Sequence, residues 1–168
     1  HRLQDYLRTQ AREKNLLDTA VVVKGRVLTT QEAIGNPQQK DFPLLKGKEK
    51  LLQAEFKGCK GQAFTDSPGD FEGTLGELLE RPINSNFEKA SFIAVLNAVM
   101  RYLQLVEGTI HCKDEEPGEC AEKLVSFIKE NYGQPRIGMI GLQPALLKNC
   151  ARVFNVRIVD MDPDNVGK

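Results

Sequence analysis

The sequence predicts an α/β protein in two parts: an α+β part over residues 1–108, then a parallel-sheet unit over 109–168 that is incomplete as given. Three observations predict it. Short β-branched or alternating runs fill much of the stretch between 19 and 65, the mark of strands joined by turns. A long, almost wholly apolar helix pattern follows Ser85. After Pro117 the pattern becomes helix–strand–helix–strand with short loops, which argues parallel strands joined by helical crossovers.

Composition bounds the classes open to it. A chain of 168 residues is one ordinary domain or two small ones. Its 40% apolar content supports a core, and 27% charge is ordinary. The formal net charge is zero, so the total carries no electrostatic footprint for nucleic acid or an anionic membrane. The distribution is uneven: residues 1–60 are net +5, 61–135 net −7 and 136–168 net +2. The acidic middle favours a cationic ligand over a phosphate. No apolar run approaches the ~20 residues of a membrane span, and no secretory signal is visible. A start at His1 suggests preceding residues or a tag remnant. Four cysteines without framework spacing point to reduced thiols and a cytoplasmic location.

Taken in order, residues 2–17 read as an amphipathic helix carrying Leu3, Tyr6, Leu7 and Leu16. Residues 19–30 read as two short strands around a tight turn at Lys24-Gly25. Residues 31–50, with Gly35, Pro37, Pro43 and Gly47, read as a long surface loop. Leu52, Ala54 and Phe56 alternate with polar neighbours, a half-buried strand that turns through 58–61 into a second strand at 62–65. Residues 74–80 form a short helix closed by Pro82. Ser85 with Glu88 is a capping box for the apolar helix. On that helix Ala90, Ala94, Asn97, Arg101 and Gln104 share one stripe, small at its start, where another backbone can come close. Pro117 opens the next helix and Gly133 stops it. Strands follow at 136–141 and 155–160, joined by a helix from Pro144, and they are expected to lie adjacent and parallel. Two parallel strands are a poor sheet. Further chain or a second copy is expected to complete the layer, and Leu142, Leu146, Leu147 and Val159 should leave apolar surface that favours a homo-oligomer such as a dimer.

The stretch Thr109–Cys120 packs one histidine, two cysteines and four carboxylates into twelve residues at the junction of the two parts. His111 and Cys112 are good ligands for zinc, copper or nickel, and Glu116 joins them as a candidate metal ligand. Cys120 falls on an apolar stripe and reads as a packed thiol; Cys59, in a turn, and Cys150, on an apolar helix face, read as structural. Asp114, Glu115 and Glu116 precede a helix, where the dipole favours carboxylates; if they act, they bind a hard cation or serve as acid and base, with Lys113 beside them. Asn97 interrupts an apolar run and must find a partner, either a nearby backbone or the ligand. Gly141, Gln143 and Pro144 lie where a strand ends and a helix begins, a place for a small anionic group; Asp160 ends the next strand, where such folds reach a ribose. The triple-glycine fingerprint is absent and Pro144 lacks an N–H, so no dinucleotide is expected.

Four runs carry a family resemblance: Phe64-Thr-Asp-Ser-Pro68, Ala94-Val-Leu-Asn-Ala98, Ile140-Gly-Leu-Gln-Pro-Ala145 and Val159-Asp-Met-Asp-Pro163. In this order they resemble the heavy-metal chelation family, over roughly 60–168. The resemblance implies an enolase-N-terminal-like α+β domain joined to a Rossmann-like domain, with a site between them. The expected function is therefore a metal- or metal-chelate-handling protein, with a divalent metal ion as cofactor and a small molecule or metal as ligand. The alternatives are an enzyme for a nucleotide-like or other small anionic metabolite without metal, and a non-catalytic binding or assembly module.

Overall fold

The computed structural model describes residues 2–17, 22–47 and 49–165. The chain divides into two compact units, one made of the described residues of 1–34 and 43–111, the other of 35–42 and 112–165. Among the described residues no helix is long and apolar enough to cross a membrane.

The first unit is an antiparallel sheet under a long helix. Its elements are α1 (Arg2–Glu13), β1 (Val22–Val27), α2 (Thr30–Ile34), α3 (Pro43–Lys46), β2 (Lys50–Phe56), β3 (Cys59–Thr65), β4 (Phe71–Thr74), α4 (Leu75–Glu80) and α5 (Asn86–Tyr102). The strand order is β3-β2-β1-β4, every neighbour antiparallel. In β2, Leu52, Ala54 and Phe56 turn to the core, as their alternation predicts. Helix α5 lies across β3 and β2, burying Ala90, Ala94, Val95, Ala98 and Val99. The capping box holds: Ser85 Oγ accepts the Glu88 N–H, and the Glu88 carboxylate accepts the Ser85 N–H. Thr74 and Glu77 cap α4 in the same way. From α1, Gln4 and Arg8 both donate to the Leu79 carbonyl, filling an acceptor that the end of α4 leaves open.

Three expectations are corrected here. Lys24-Gly25 is not a turn. Both residues sit inside β1, where Gly25 pairs with Ala54 on one side and Phe71 on the other. Glycine is there because the Phe71 ring lies where a Cβ would be. The front of that stretch, 19–21, lies outside the described residues. Nor are residues 31–50 a plain surface loop. They contain α2 and α3 and bury Ala33, Ile34, Pro37, Phe42 and Leu44. The third correction is β4, a four-residue strand that hydropathy alone does not reveal.

The second unit holds α6 (Glu116–Tyr132), β5 (Arg136–Ile140), α7 (Pro144–Cys150) and β6 (Asn155–Val159). Strands β5 and β6 pair in parallel, Arg136 opposite Asn155 through Ile140 opposite Val159. Pro117 stands in the first turn of α6 and Gly133 caps its end, as expected. Both strands alternate between exposed and half-buried residues. Ile140 is 91% exposed, Val159 68% and the following Met161 99%, so one face of the pair carries uncovered apolar side chains. Leu142, Leu146 and Leu147 are half-buried.

The capping carboxylates give the fold an acid limit. Hydrogen bonding to Arg26, then to Thr29, lowers Glu32 to about 2. The Thr74 and Ser85 backbone N–H groups lower Glu77 and Glu88. A carboxyl depressed in the folded state adds stability above its ordinary range and loses it as pH falls through the folded value. Thermal stability should therefore fall steadily below pH 4.5, with the Glu32 contribution gone near about 2. Glu32→Gln should flatten this acid limb; an unchanged limb would show that these carboxylates do not set it.

Candidate functional site

The first unit organises the start of the junction around Gln62 on the edge strand β3. Its N–H donates to the Thr109 carbonyl at 3.0 Å. Its carbonyl accepts the Asn97 side-chain amide at 2.9 Å. Its side-chain oxygen accepts the His111 N–H at 2.6 Å, and its side-chain nitrogen donates to Gln53 at 2.9 Å. Thr109 adds a hydroxyl donation to the Lys60 carbonyl at 2.7 Å. The segment 109–111 is thus laid along the open edge of β3. The His111 ring stands edge-on to Phe64, centroids 5.4 Å apart.

Asn97 serves this arrangement. Gly61, one residue before Gln62, lets the α5 backbone rest directly on β3, since a Cβ there would collide with the Ala94 carbonyl and the Ala98 nitrogen. The alanines of the small stripe permit that approach, and Asn97 follows within hydrogen-bond reach of the Gln62 carbonyl. Gln62 itself was invisible to sequence reasoning, because a lone glutamine in a strand gives no sign of its distant partners.

The second unit holds the rest of the acidic stretch. Asp114 has φ +52° and turns the chain. Its carboxylate accepts the Asn36 N–H at 2.8 Å, and Glu115 accepts the Gln38 N–H at 2.8 Å. Gly35, at φ +67°, is needed twice over: its backbone is left-handed, and the Asp114 carboxylate occupies the place of a Cβ. These two acids therefore clamp the 35–42 segment and are not free solvated groups. Asp114→Ala should cost about 1–2 kcal/mol, more than the few tenths typical of an unbonded surface residue. Hydrogen exchange would show the Asn36 and Gln38 amides losing protection; unchanged protection would contradict the clamp.

Glu116 closes the turn from the other side. Its carboxylate accepts the Lys113 N–H at 2.8 Å, and its own N–H donates to the Lys113 carbonyl at 2.9 Å. The Lys113 side chain is exposed. Cys112 stands immediately before this tight turn. Cys120 is one helical turn beyond Glu116, on the same face. Burial first, then the charge and hydrogen bond of the Cys120 thiol, then Glu116, raise Cys112 above the usual thiol range. Cys112 is partly buried and Cys120 exposed. The expectation that Cys120 packs into the interior is thus corrected: Ala121, its neighbour, is the residue of α6 that goes fully inside.

The strand-end loops of the second unit are tied together by Asp160. It accepts the Leu142 N–H at 2.6 Å and the Asp162 N–H at 2.7 Å, with the Asn165 amide at 3.2 Å. Gly141, at φ +78°, donates its N–H to the Val159 carbonyl. Gln143 precedes α7 without a side-chain capping bond, and Pro144 is buried at the helix start. The residues expected near 141–160 are thus gathered by a latch internal to this unit.

Among the described residues no group of three or more His, Cys, Asp or Glu is placed to hold a metal ion. Of soft donors the second unit offers the thiols of Cys112, Cys120 and Cys150. Two thiolates suit a soft cation of low coordination number, or a metal that brings other ligands with it. No family model, curated protein or solved structure matches this chain.

Proposed function

We propose that this chain handles a soft metal ion, free or already chelated, through the Cys112–Cys120 thiol pair. What supports the reading is a partly buried Cys112 in a turn closed by Lys113 and Glu116, with Cys120 one helical turn beyond Glu116 on α6. Cys120 and Glu116 both disfavour the bare Cys112 thiolate, and a bound cation relieves that repulsion. Soft sulfur ligands select copper(I) and zinc over hard cations. With only two thiols supplied, zinc needs further ligands from its own chelate, whereas copper(I) is satisfied by the pair. The family resemblance points to the same ligand class. The alternative of a small anionic ligand at 141–144 gains less support: the Leu142 N–H is already given to Asp160, and Pro144 has none to give.

The test is a copper(I) titration of the full chain against a competing chelator. One ion per chain should bind, and alkylating the thiols beforehand should abolish uptake. Failure to bind, or uptake indifferent to alkylation, would overturn the reading.

A further inference from the structure

We propose that the apolar cavity between α4 and α5 binds a small neutral molecule carrying one hydroxyl or carbonyl group, held by Ser91. The site lies wholly within the first unit and does not depend on the metal reading. Leu78 and Leu79 of α4, Pro82 of the connection, and Phe87, Phe92 and Val95 of α5 form its walls. Such a lining favours an apolar body over water. The cavity measures about 40 Å³, several times the roughly 10–15 Å³ that one water needs. A small ring or a branched chain suits it; a cofactor does not. Packed helices normally close such a space. Here both walls are held in place. Thr74 and Glu77 cap α4, and Gln4 and Arg8 bind the Leu79 carbonyl from α1. Ser85 and Glu88 cap α5. The ligand therefore meets a site that is already formed.

The polar groups decide what the ligand carries. Ser91 lines the cavity, and its Oγ is buried with no hydrogen-bond partner among the described residues. A serine inside a helix can give its hydroxyl to the carbonyl four residues back, here that of Phe87. This one does not. A buried hydroxyl without a partner is costly, and a ligand that pairs with it removes the cost. The two charged residues of the lining are opposite in sign and already engaged. Arg81 donates to the Glu72 carbonyl, and Glu88 accepts the Asn84 and Ser85 N–H groups. The lining thus has no net charge to attract an ion. A hydroxyl or carbonyl on an apolar body satisfies Ser91 and keeps the walls dry.

The experiment titrates the isotope-labelled full chain with benzyl alcohol and follows the amide shifts. Toluene offers the same body without the hydroxyl, and benzoate puts a charge in its place. Benzyl alcohol should give saturable shifts at Leu78, Ser91 and Val95. Toluene should bind about tenfold more weakly, the worth of one neutral hydrogen bond, and benzoate not at all. Ser91→Ala should keep the fold, since alanine suits a helix interior, and should bind benzyl alcohol no better than toluene. Ser91→Leu should fill the cavity and lose both. No saturable shift at these amides, or shifts confined to another surface, would overturn the proposal. So would equal affinity of the parent for toluene and benzyl alcohol, or a Ser91→Ala protein that keeps the preference for the alcohol.

Discussion

Gly61→Ala should lower the unfolding free energy by about 3 kcal/mol, the upper end of what overpacking costs. The added methyl would lie on the Ala94 carbonyl and the Ala98 nitrogen of α5. Both are helix backbone, so no side-chain rotation relieves the collision. The helix must lift from β3, and its buried contacts at Val95 and Val99 loosen with it. The Asn97 bond to Gln62 stretches at the same time, which threatens the edge that holds 109–111. Urea unfolding should show a large drop in midpoint with little change in slope. A loss below about 1 kcal/mol would mean that the helix and strand are less closely seated than described.

Cys112→Ser and Cys120→Ser should each weaken copper(I) binding on the order of 100-fold, at the top of the range for removing even an indirect support of a metal site. Each substitution replaces half of a two-sulfur donor set with a hard hydroxyl. The effects should not add. Once either thiol is gone the pair is gone, so changing both should be little worse than changing one. Cys59→Ser, outside the proposed pair, should leave binding unaltered. Stability should hardly change at Cys120, which is exposed. Competition with a chelator reads all four proteins. Cys120→Ser binding as tightly as the parent would remove the pair from the site.

Much of the fold was legible because local and long-range preferences agree. Ser85 and Glu88 announce α5, and the alanine stripe announces the close approach that Gly61 completes on the facing strand. The parallel pairing of β5 and β6 follows from short apolar strands flanking one helix. Other features depend on partners far along the chain. Gly25 looks like a turn until Phe71 is seen lying over it. Pro37, Phe42 and Leu44 have no period, so their burial is decided by what packs on them. The clamp of Asp114 and Glu115 on Asn36 and Gln38 spans more than seventy residues, beyond any local rule.

At the candidate site the sequence showed which residues cluster, but not what each of them holds. In the 111–116 stretch the acidic residues Asp114, Glu115 and Glu116 are used to shape the loop. Cys120 looked like core because it shares an apolar stripe with Leu124 and Phe127. Those two are themselves exposed, at 38% and 54%, so the stripe does not mark the buried face of α6.

X-ray absorption at the copper edge of the full chain loaded with copper(I) tests the central claim most directly. The account predicts two sulfur scatterers in the first shell of the parent protein and fewer than two in Cys112→Ser. A first shell of nitrogen and oxygen alone, or two sulfurs that persist in Cys112→Ser, would contradict it.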